Sequence, residues 1–410
     1  MAHRHHIDPD ELTALADHRR QILSAVAPLP PVSASLLEAR SLVLAQDVAA
    51  PGDIPPFANS AMDGFAVRAA EVGEGSRLRV VGEIAAGSPD LPSPGAGEAV
   101  RIMTGAPMPA GATAVVPVEL VTESDGEVVL DTSPEVGDNI RASGESARRG
   151  EVVLTAGRPL GPAEIGMLAA MGIPRVEVHP RVRVATLATG DELVEPGTPL
   201  MPGQIHESNS YALAAQVAEV GAVAFRQQIA RDDRAALRKA FTDALATADV
   251  LVTSGGVSAG RYDLSKQVLA ELGDVTFAKV AMQPGMPQAF GSIDGVPVFG
   301  LPGNPVSAAV SFEVLVRPAI RRMQGRTDLN RPRVTARLAE DVRSPEHKVS
   351  FLRVTLERGD DDWLATTTGA QGSGILRSMV LADGLAEIPA DRTSMAAGEP
   401  VVVHLLVDPT

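Results

Sequence analysis

The chain has 410 residues, a formal net charge of -15 and no cysteine. The length predicts two to four domains. The absence of cysteine excludes disulfides, zinc–thiolate sites, iron–sulfur clusters and thiol nucleophiles. The acidic balance argues against a broad basic surface for nucleic acid. The chain contains no run of about 18 apolar residues, so no membrane span is predicted. The first residues lack an apolar signal-peptide core, and we expect a cytoplasmic protein.

The first elements are predicted to be helical. Residues 9–50 carry apolar side chains at three-to-four spacing, as at Leu15, Ile22 and Val26, with a proline-rich break at residues 28–31. From residue 78 to 130, short alternating stretches are separated by Gly and Pro turns, which predicts a small β-rich domain. A helix returns at residues 161–172.

The middle of the chain alternates between strand and helix patterns, which predicts a parallel sheet covered by helices. The predicted strands are residues 182–189, 222–230, 250–254, 275–280 and 296–301, and the predicted helices are residues 208–221, 234–248, 262–273 and 305–323. The last part returns to short strands, as in a β-barrel or sandwich. These are residues 333–338, 350–357, 384–390 and 400–407.

Glycine-rich and acidic loops follow four of the predicted strands. Ligands of open α/β sheets bind outside the carboxyl ends of the strands, so these loops are expected to form one rim. Glycine-rich turns expose backbone N–H groups to an anion. The loops are residues 189–192, 231–233, 254–258 and 302–305.

The carboxylates of this rim have two interpretations. Asp191, Glu192, Asp232 and Asp263 are candidates for holding a hard cation such as Mg²⁺ against phosphate oxygens. Alternatively, Asp232 or Asp233 caps the helix that follows, and Asp191 is a turn residue. The joint occurrence of several such loops on one sheet edge favours the functional interpretation.

The Asn304-Pro305 pair is also compatible with a structural and a functional interpretation. Asn is a good helix N-cap and Pro a good first helical residue. A stiff loop with open backbone donors suits an oxyanion equally well.

Five segments with marked composition follow one another in order across the chain. They are PPFANSAMDGFAVR at 55–68, RIMTGAPMPAGATAVVPVE at 101–119, ATGDEL at 188–193, TSGGVS at 253–258 and GLPGNPVSA at 300–308. A single hexapeptide could match by chance, but an ordered set is specific. Together the segments resemble the signatures of the MoeA-type molybdopterin molybdenumtransferases, a family that includes the C-terminal domain of gephyrin.

The resemblance implies an α/β multidomain fold with a doubly wound, mainly parallel sheet. It also implies a homodimer whose active site lies between the α/β domain of one chain and the inserted β domain of the other. The implied domains are a discontinuous helical domain of residues 1–50 and 141–180, an inserted β-rich domain of 51–140, an α/β molybdopterin-binding domain of 181–325 and a C-terminal β-barrel-like domain of 326–410.

Site residues are carried over from the family motif by motif. Without the family, Asp63 would be a turn residue before Gly64, and Thr104 a strand-end hydroxyl. The predicted catalytic residues are Asp63, Thr104, Glu192, Asp232, Asp263 and Lys279. The predicted molybdopterin- and oxyanion-binding residues are Ser254, Gly255, Gly256, Ser258, Pro302, Gly303, Asn304 and Pro305. The predicted Mg²⁺ ligands are Glu192, Asp232 and Asp263.

The activity implied by the family is Mg²⁺-dependent insertion of molybdate into adenylylated molybdopterin, with release of AMP. A transient complex with the molybdopterin adenylyltransferase is a further expectation, and neither nucleic acid nor membrane is an expected partner. Two alternatives stay open: a non-catalytic molybdopterin-binding or scaffolding protein, and a tungstate-specific insertase of the same fold. A generic dinucleotide-binding enzyme is disfavoured because no G-x-G-x-x-G run follows the first strand of the sheet.

The chain departs from the family pattern at two places. A K-P-G-K-P run is replaced by residues 283–287, with Gln283 and Met286 at the lysine positions. Charge-assisted bonds are roughly twice as strong as neutral ones, so oxyanion binding is expected to weaken unless Arg141, Arg261 or Lys279 compensates. The usual acidic residue after a glycine–glutamate pair is also missing, because Ser146 stands there.

Overall fold

The computed structural model describes residues 11–256, 264–359 and 362–407. Within these residues the chain forms two compact units. The first unit falls in Met1–Ser33, Ser41–Ala45 and Glu177–Thr410, and the second in Ala34–Arg40 and Gln46–Val176. The predicted α/β and C-terminal β domains therefore belong to one unit, and the predicted inserted β domain belongs to the other.

The helices are short, and none of those in the described ranges has the length and apolar character needed to cross a membrane. The helices are α1 (Leu15–Ala25), α2 (Pro162–Ala170), α3 (Asn209–Glu219), α4 (Arg234–Leu245), α5 (Leu264–Leu272), α6 (Pro305–Ser311), α7 (Arg317–Met323) and α8 (Arg377–Val380).

The strands of the described residues outnumber the helices and were only partly predicted. They are β1 (Val32–Ser35), β2 (Val43–Leu44), β3 (Val48–Ala49), β4 (Asn59–Ser60), β5 (Gly64–Val67), β6 (Arg77–Ile84), β7 (Glu98–Ile102), β8 (Ala114–Pro117), β9 (Val121–Ser124), β10 (Glu127–Leu130), β11 (Ile140–Arg141), β12 (Val152–Leu154), β13 (Arg175–His179), β14 (Arg183–Ala188), β15 (Leu193–Val194), β16 (Ile205–His206), β17 (Val223–Arg226), β18 (Val250–Ser254), β19 (Asp274–Lys279), β20 (Met282–Gln283), β21 (Pro287–Ile293), β22 (Val296–Leu301), β23 (Arg333–Leu338), β24 (Val342–Arg343), β25 (Val349–Arg358), β26 (Trp363–Thr367), β27 (Gly384–Ile388), β28 (Ser394–Met395) and β29 (Pro400–Leu405).

The first unit contains a six-stranded sheet with the order β17-β14-β18-β22-β21-β19. Its first four strands are parallel. Alternate residues of β18 pack on opposite faces, because Val250 and Val252 join a core with Leu213, whereas Leu251 joins a core with Leu237. Helices therefore cover both faces, and the predicted doubly wound α/β fold is confirmed.

The end of this sheet formed by β21 and β19 differs from the prediction. Residues 287–293 form β21, which pairs antiparallel with both β22 and β19. A two-residue turn joins β21 to β22, with positive φ at Asp294 (50°) and Gly295 (82°). An Asp-Gly pair at such a turn is a strong hairpin signal. No strand is predicted from the sequence between residues 280 and 296, so β21 is known only from the structure.

The predicted helix at residues 305–323 is interrupted. A π-helical stretch at Phe312–Val316 separates α6 from α7. Pro318 stands in the first turn of α7, and a proline lacks the N–H that would donate to the carbonyl four residues earlier. We attribute the wider turn to this missing donor.

The C-terminal part of the first unit is a closed β-barrel, as expected from the sequence. The strand order is β20-β25-β26-β23-β29-β27, and an additional β25–β27 pairing closes the ring. The strand β26 was not predicted. The strand β20 comes from the α/β part of the chain and pairs with β25 through Gln283 and Ser350, so the 283–287 segment is anchored on the barrel.

The helical interpretation of residues 26–50 is wrong. The helix α1 ends at Ala25, ahead of the prolines, and buries Leu15, His18 and Ile22. The residues that follow form β1, β2 and β3. Val43 pairs with His179, more than a hundred residues away along the chain, and a local apolar spacing carries no signal for such a pairing.

The second unit is built on a six-stranded sheet with the order β8-β5-β7-β6-β10-β9. The strand β5 lies between β7 and β8, and Gly64 pairs with Pro117 of β8. A Cβ at Gly64 would lie 2.1 Å from the Val116 carbonyl oxygen. The close approach of these two backbones therefore requires glycine directly after Asp63.

We expect Gly64→Ala to lower the free energy of unfolding by about 1–3 kcal/mol, because a methyl group would overpack the strand contact. The matched control is Gly166→Ala. Gly166 is exposed inside α2, and a Cβ there would meet no atom within 4 Å, so the control should stabilise by about 0.5–1 kcal/mol. Chemical denaturation of both variants checks this, and equal effects would contradict it.

Candidate functional site at the carboxyl edge of the parallel strands

The loops that follow β14, β17, β18 and β22 lie at one edge of the sheet, because these four strands run parallel. Thr189 continues the ladder of β14 and bridges Ala230. The Gly190 N–H donates to the Ala230 carbonyl oxygen at 3.2 Å. The structure thus brings three of the predicted loops, and the described part of the 254–258 loop, onto one rim.

The glycine-rich loop after β18 is in tight backbone contact with its neighbours. Gly255 has φ +91° and Gly256 has φ +69°, and a Cβ at Gly255 would lie 2.9 Å from the Thr189 carbonyl oxygen. The Gly255 N–H donates to the Leu301 carbonyl oxygen at 3.1 Å and is therefore already used. Ser258, predicted to belong to this loop, lies outside the described residues.

The loop after β22 lies directly beside the loop after β18. A Cβ at Gly303 would lie 3.7 Å from the Gly255 Cα. Among the described residues, no acceptor is paired with the backbone N–H of Gly256, Gly303 or Asn304. These three donors remain for a ligand.

Asn209 ties these two loops together, and the sequence analysis did not single it out. Its Nδ2 donates to Ser254 Oγ at 2.6 Å and to the Gly303 carbonyl oxygen at 2.7 Å. Asn209 is the first residue of α3, so the helix fixes the position of the amide. The only sequence signal was an asparagine at a helix start, which resembles ordinary capping.

The Asn304-Pro305 pair is arranged differently from the capping prediction. Pro305 is the first residue of α6, as predicted, but the Asn304 side chain makes no capping bond. Instead, Asn304 Nδ2 donates to Ser373 Oγ at 3.0 Å, and the Val306 N–H donates to the Ser373 carbonyl oxygen at 3.1 Å. The rim is thereby joined to the loop that follows β26.

The acidic residues of the rim have separate roles in the structure. The Asp232 N–H donates to Asp191 Oδ1 at 3.2 Å, and Arg231 Nη1 donates to the Asp191 carbonyl oxygen at 2.9 Å. Asp233 caps α4 by accepting the Ala236 N–H at 2.9 Å. The capping interpretation thus holds for Asp233, and Asp232 is exposed at the rim.

Glu192 and Asp232 suit a magnesium ion only as a partial ligand set. Both are exposed, and the Glu192 carboxylate lies beside Gly190, where a Cβ would be 2.5 Å from Oε2. Within the described ranges no three His, Asp or Glu side chains converge on a metal position, and Asp263 lies outside those ranges. Mg²⁺ commonly keeps several waters and takes one or two carboxylates beside substrate phosphates, so the two residues fit that mode.

Lys279 lies on the same sheet but far from Asp232. It ends β19, the strand at one side of the sheet, whereas Asp232 follows β17 at the other side. Five strand spacings of about 4.8 Å separate the two by about 24 Å. Lys279 forms an ion pair with Glu11, and both side chains are largely exposed.

The segment that departs from the family lysines is held rigidly. Gln288 is 2% exposed, and its Nε2 donates to the Gly285 carbonyl oxygen at 2.5 Å and to Ser311 Oγ at 2.7 Å. Gln283 is exposed and Met286 is half-buried. The loop is thus positioned from within, while Gln283 presents its amide to solvent.

Arg353 is a buried cation that the sequence analysis missed. It is 1% exposed. Its Nε donates to Ser378 Oγ at 3.2 Å and its Nη1 to the Phe351 carbonyl oxygen at 3.1 Å. Among the described residues its Nη2 has no hydrogen-bond partner. Burial lowers the pKa of Arg353 to about 10. A buried charged donor without a partner is costly to the folded state.

The loop between β26 and α8 connects Arg353 with the rim. The Arg353 N–H donates to Gln371 Oε1 at 2.8 Å, and Gln371 Nε2 donates to the Arg353 carbonyl oxygen at 3.2 Å. Two residues later, Ser373 accepts from Asn304. No apolar or charge pattern marked this arginine, because its burial depends on the closed barrel.

In the second unit, the structure brings Asp63 and Thr104 together. The N–H and Oγ1 of Thr104 both donate to Asp63 Oδ1, at 2.6 and 2.7 Å. The two bonds, the backbone one foremost, hold the pKa of Asp63 below its usual value. Both residues are exposed, so the carboxylate is ionised, oriented and open to a ligand.

Comparison with known proteins assigns each part of the chain. Residues 13–172 match the MoeA N-terminal region (domain I and II), residues 185–322 a probable molybdopterin binding domain, and residues 335–406 the MoeA C-terminal region (domain IV). A molybdopterin molybdenumtransferase 2 from Mycobacterium tuberculosis is 41% identical over 96% of this chain and 99% of its own. A molybdopterin molybdenumtransferase from Haemophilus influenzae is 37% identical over 91% and 94%.

The fold also matches solved structures over its whole length. Two crystal structures of molybdopterin biosynthesis MoeA proteins from Pyrococcus horikoshii superpose with TM-scores of 0.84 and 0.80, at 35% and 28% sequence identity. The matches cover 97% and 96% of this chain and 100% of each of those chains.

We expect Asn209→Ala to lower the free energy of unfolding by about 1–3 kcal/mol, since each of its two hydrogen bonds contributes about 0.5–1.5 kcal/mol. In a double-mutant cycle with Ser254→Ala, the two effects should be less than additive by about 0.5–1.5 kcal/mol. Urea denaturation of the two single variants and the double variant measures this coupling. Additive effects would show that the amide does not join the loops in solution.

Proposed function

The chain belongs to the MoeA family of molybdopterin molybdenumtransferases, transferases of molybdenum cofactor biosynthesis, and on this premise we propose that it inserts molybdate into adenylylated molybdopterin with release of AMP. The observation that carries the proposal is the pair of loops clamped by Asn209, in which the backbone donors of Gly256, Gly303 and Asn304 have no acceptor among the described residues. In this proposal these donors hold a phosphate against the rim.

Phosphate binding is assigned to the two glycine-rich loops. Backbone N–H groups carry partial positive charge and need no counterion, so they hold a phosphate even in a strongly acidic protein. Ser254 is 2% exposed and already bound to Asn209, so it supports the loop while the backbone binds. In the proposed complex, Pro302 and Pro305 keep the second loop stiff.

The carboxylates provide the other half of the site. Glu192 and Asp232, together with Asp263, would hold Mg²⁺, which when bound neutralises charge on the phosphate oxygens of the linkage that is cleaved. Arg231 holds the Asp191 carbonyl oxygen and thereby orients the loop from which Glu192 projects. Because the chain has no cysteine, the sulfur ligands of molybdenum come from the dithiolene of the pterin.

Molybdate is proposed to bind toward the barrel side of the rim. Arg353 is 1% exposed and its Nη2 has no partner within the described residues, so its guanidinium acts on a molybdate at the rim through its charge and not through a direct hydrogen bond. The neighbouring 283–287 segment presents Gln283 instead of a lysine. Arg353 therefore supplies a positive charge that this segment lacks.

The Asp63–Thr104 pair is proposed to complete the site in a homodimer. Its oriented carboxylate is exposed in the second unit, and we propose that it faces the 253–258 loop of a partner subunit. A transient complex with the molybdopterin adenylyltransferase would deliver the substrate. The proposed location is the cytoplasm, in line with the biosynthetic role that the names of the relatives give.

The direct test is molybdate-dependent AMP release by the purified protein from adenylylated molybdopterin and Mg²⁺, with a known homologue run alongside. We expect AMP release with molybdate and a lower rate with tungstate. Pterin binding without AMP release would contradict the proposal and favour a scaffolding protein. Release with tungstate alone would favour a tungstate-specific insertase.

We expect Gln283→Lys to lower the KM for molybdate by about five- to tenfold, because a charge-assisted bond replaces a neutral one. Gln283 is exposed, so the lysine needs no repacking. Gln21→Lys adds the same charge at an exposed position of α1 and serves as the control. Steady-state kinetics at varied molybdate measures both, and an equal response of the two variants would contradict a local effect.

A further inference from the structure

A cavity of about 160 Å³ lies in the first unit, away from the rim, among α1, the helical segment 305–323 and the barrel. Its apolar wall includes Leu15, Val314, Phe351 and Leu385. An engineered apolar cavity of about 150 Å³ binds benzene, so the space admits a molecule of one ring. None of the residues assigned to catalysis or to phosphate binding lines it.

Two arginines of this cavity form no ion pair with a carboxylate of the described residues. Arg19 Nη2 donates to the neutral Asn330 Oδ1 at 2.5 Å, and Arg333 is exposed at the cavity wall. Burial lowers the pKa of Arg19, and the charge of Arg333 lowers it further. The two cations therefore repel each other across a partly desolvated space.

The acidic groups of the cavity are already engaged. Glu313 accepts from Arg331 at 2.8 and 3.1 Å. Glu387 is hydrogen-bonded to His404 at 2.6 Å, and this bond is the main cause of the lowered pKa of Glu387. Glu387 offsets part of the charge of both Arg19 and Arg333 but forms no ion pair with either. Two guanidinium groups against this one carboxylate leave a net positive charge beside the apolar wall.

From this arrangement we propose that the cavity binds a small carboxylate with an apolar, single-ring body. The carboxylate bridges Arg19 and Arg333, and the ring packs on Leu15, Phe351 and Leu385. Arginine suits a carboxylate through parallel N–H···O bonds. A phosphate dianion fits less well, because the apolar wall would strip water from a second charge without replacing it. The proposal does not depend on the enzymatic reaction.

The test is a titration of the full-length protein with 4-fluorobenzoate, followed by fluorine NMR, with neutral 4-fluorobenzamide as the matched ligand. We expect saturable binding of the acid with a Kd on the order of 1 mM, as the size of a one-ring ligand allows, and at least tenfold weaker binding of the amide. Equal affinities of the two ligands, or no saturation by the acid up to about 20 mM, would overturn the proposal.

Variants locate the binding. Arg19→Gln and Arg333→Gln should each weaken binding of the acid by about tenfold or more. Arg343→Gln removes the same charge from an exposed position of β24 and should change the Kd by less than about twofold. Since Arg333 is exposed, its substitution tests the proposal even if Arg19→Gln is destabilised. A loss of binding with Arg343→Gln as large as with Arg333→Gln would show unspecific attraction and refute the site.

Discussion

The close approach of three backbone segments at the carboxyl edge of the sheet is the constraint on which the site depends. Gly255 touches Thr189 on one side and hydrogen-bonds Leu301 on the other, and a side chain at Gly255 would push these segments apart. Asn209 then fixes the distance between the Ser254 and Gly303 loops. Donors held this way bind an anion without reorganising, which is the physical basis of electrostatic preorganisation.

In the proposed function, the binding of phosphate and the binding of the oxyanion use different groups of the protein. Phosphate is assigned to backbone donors, whose position is set by main-chain contacts and one amide. The proposed oxyanion position depends on the charge of Arg353 in the barrel, which is buried with one nitrogen unpaired among the described residues. The 369–376 loop links the rim to Arg353, since Gln371 is hydrogen-bonded to the backbone of Arg353 and Ser373 to the side chain of Asn304.

The arginines near the barrel of the first unit differ in their ion pairing. Arg331 joins Glu313 and Glu219, which lie on different helices, and so ties the helical layer to the start of the barrel. Buried ion pairs of this kind offset their desolvation only with good geometry and further hydrogen bonds. Arg19 and Arg333 have no such partners in the part of the chain that the structure describes. The contrast with Arg331 distinguishes a structural arginine from one that is open to a ligand.

The sequence by itself determined the elements with local signals. Short apolar runs located β18, β22 and β23, and the turn glycines and acidic loops were assigned to the correct edge of the sheet. The family signatures named the residues around Asp63 and Thr104 that the structure brings together. Only the tertiary structure decided the rest. The pairing of residues 43–44 with β13, the burial of Arg353 and the bridge made by Asn209 all join residues far apart in the chain, and local periodicity does not encode such pairings. For the same reason the sequence did not show that Lys279 and Asp232, both assigned to the predicted site, lie at the two opposite edge strands of the sheet, β19 and β17.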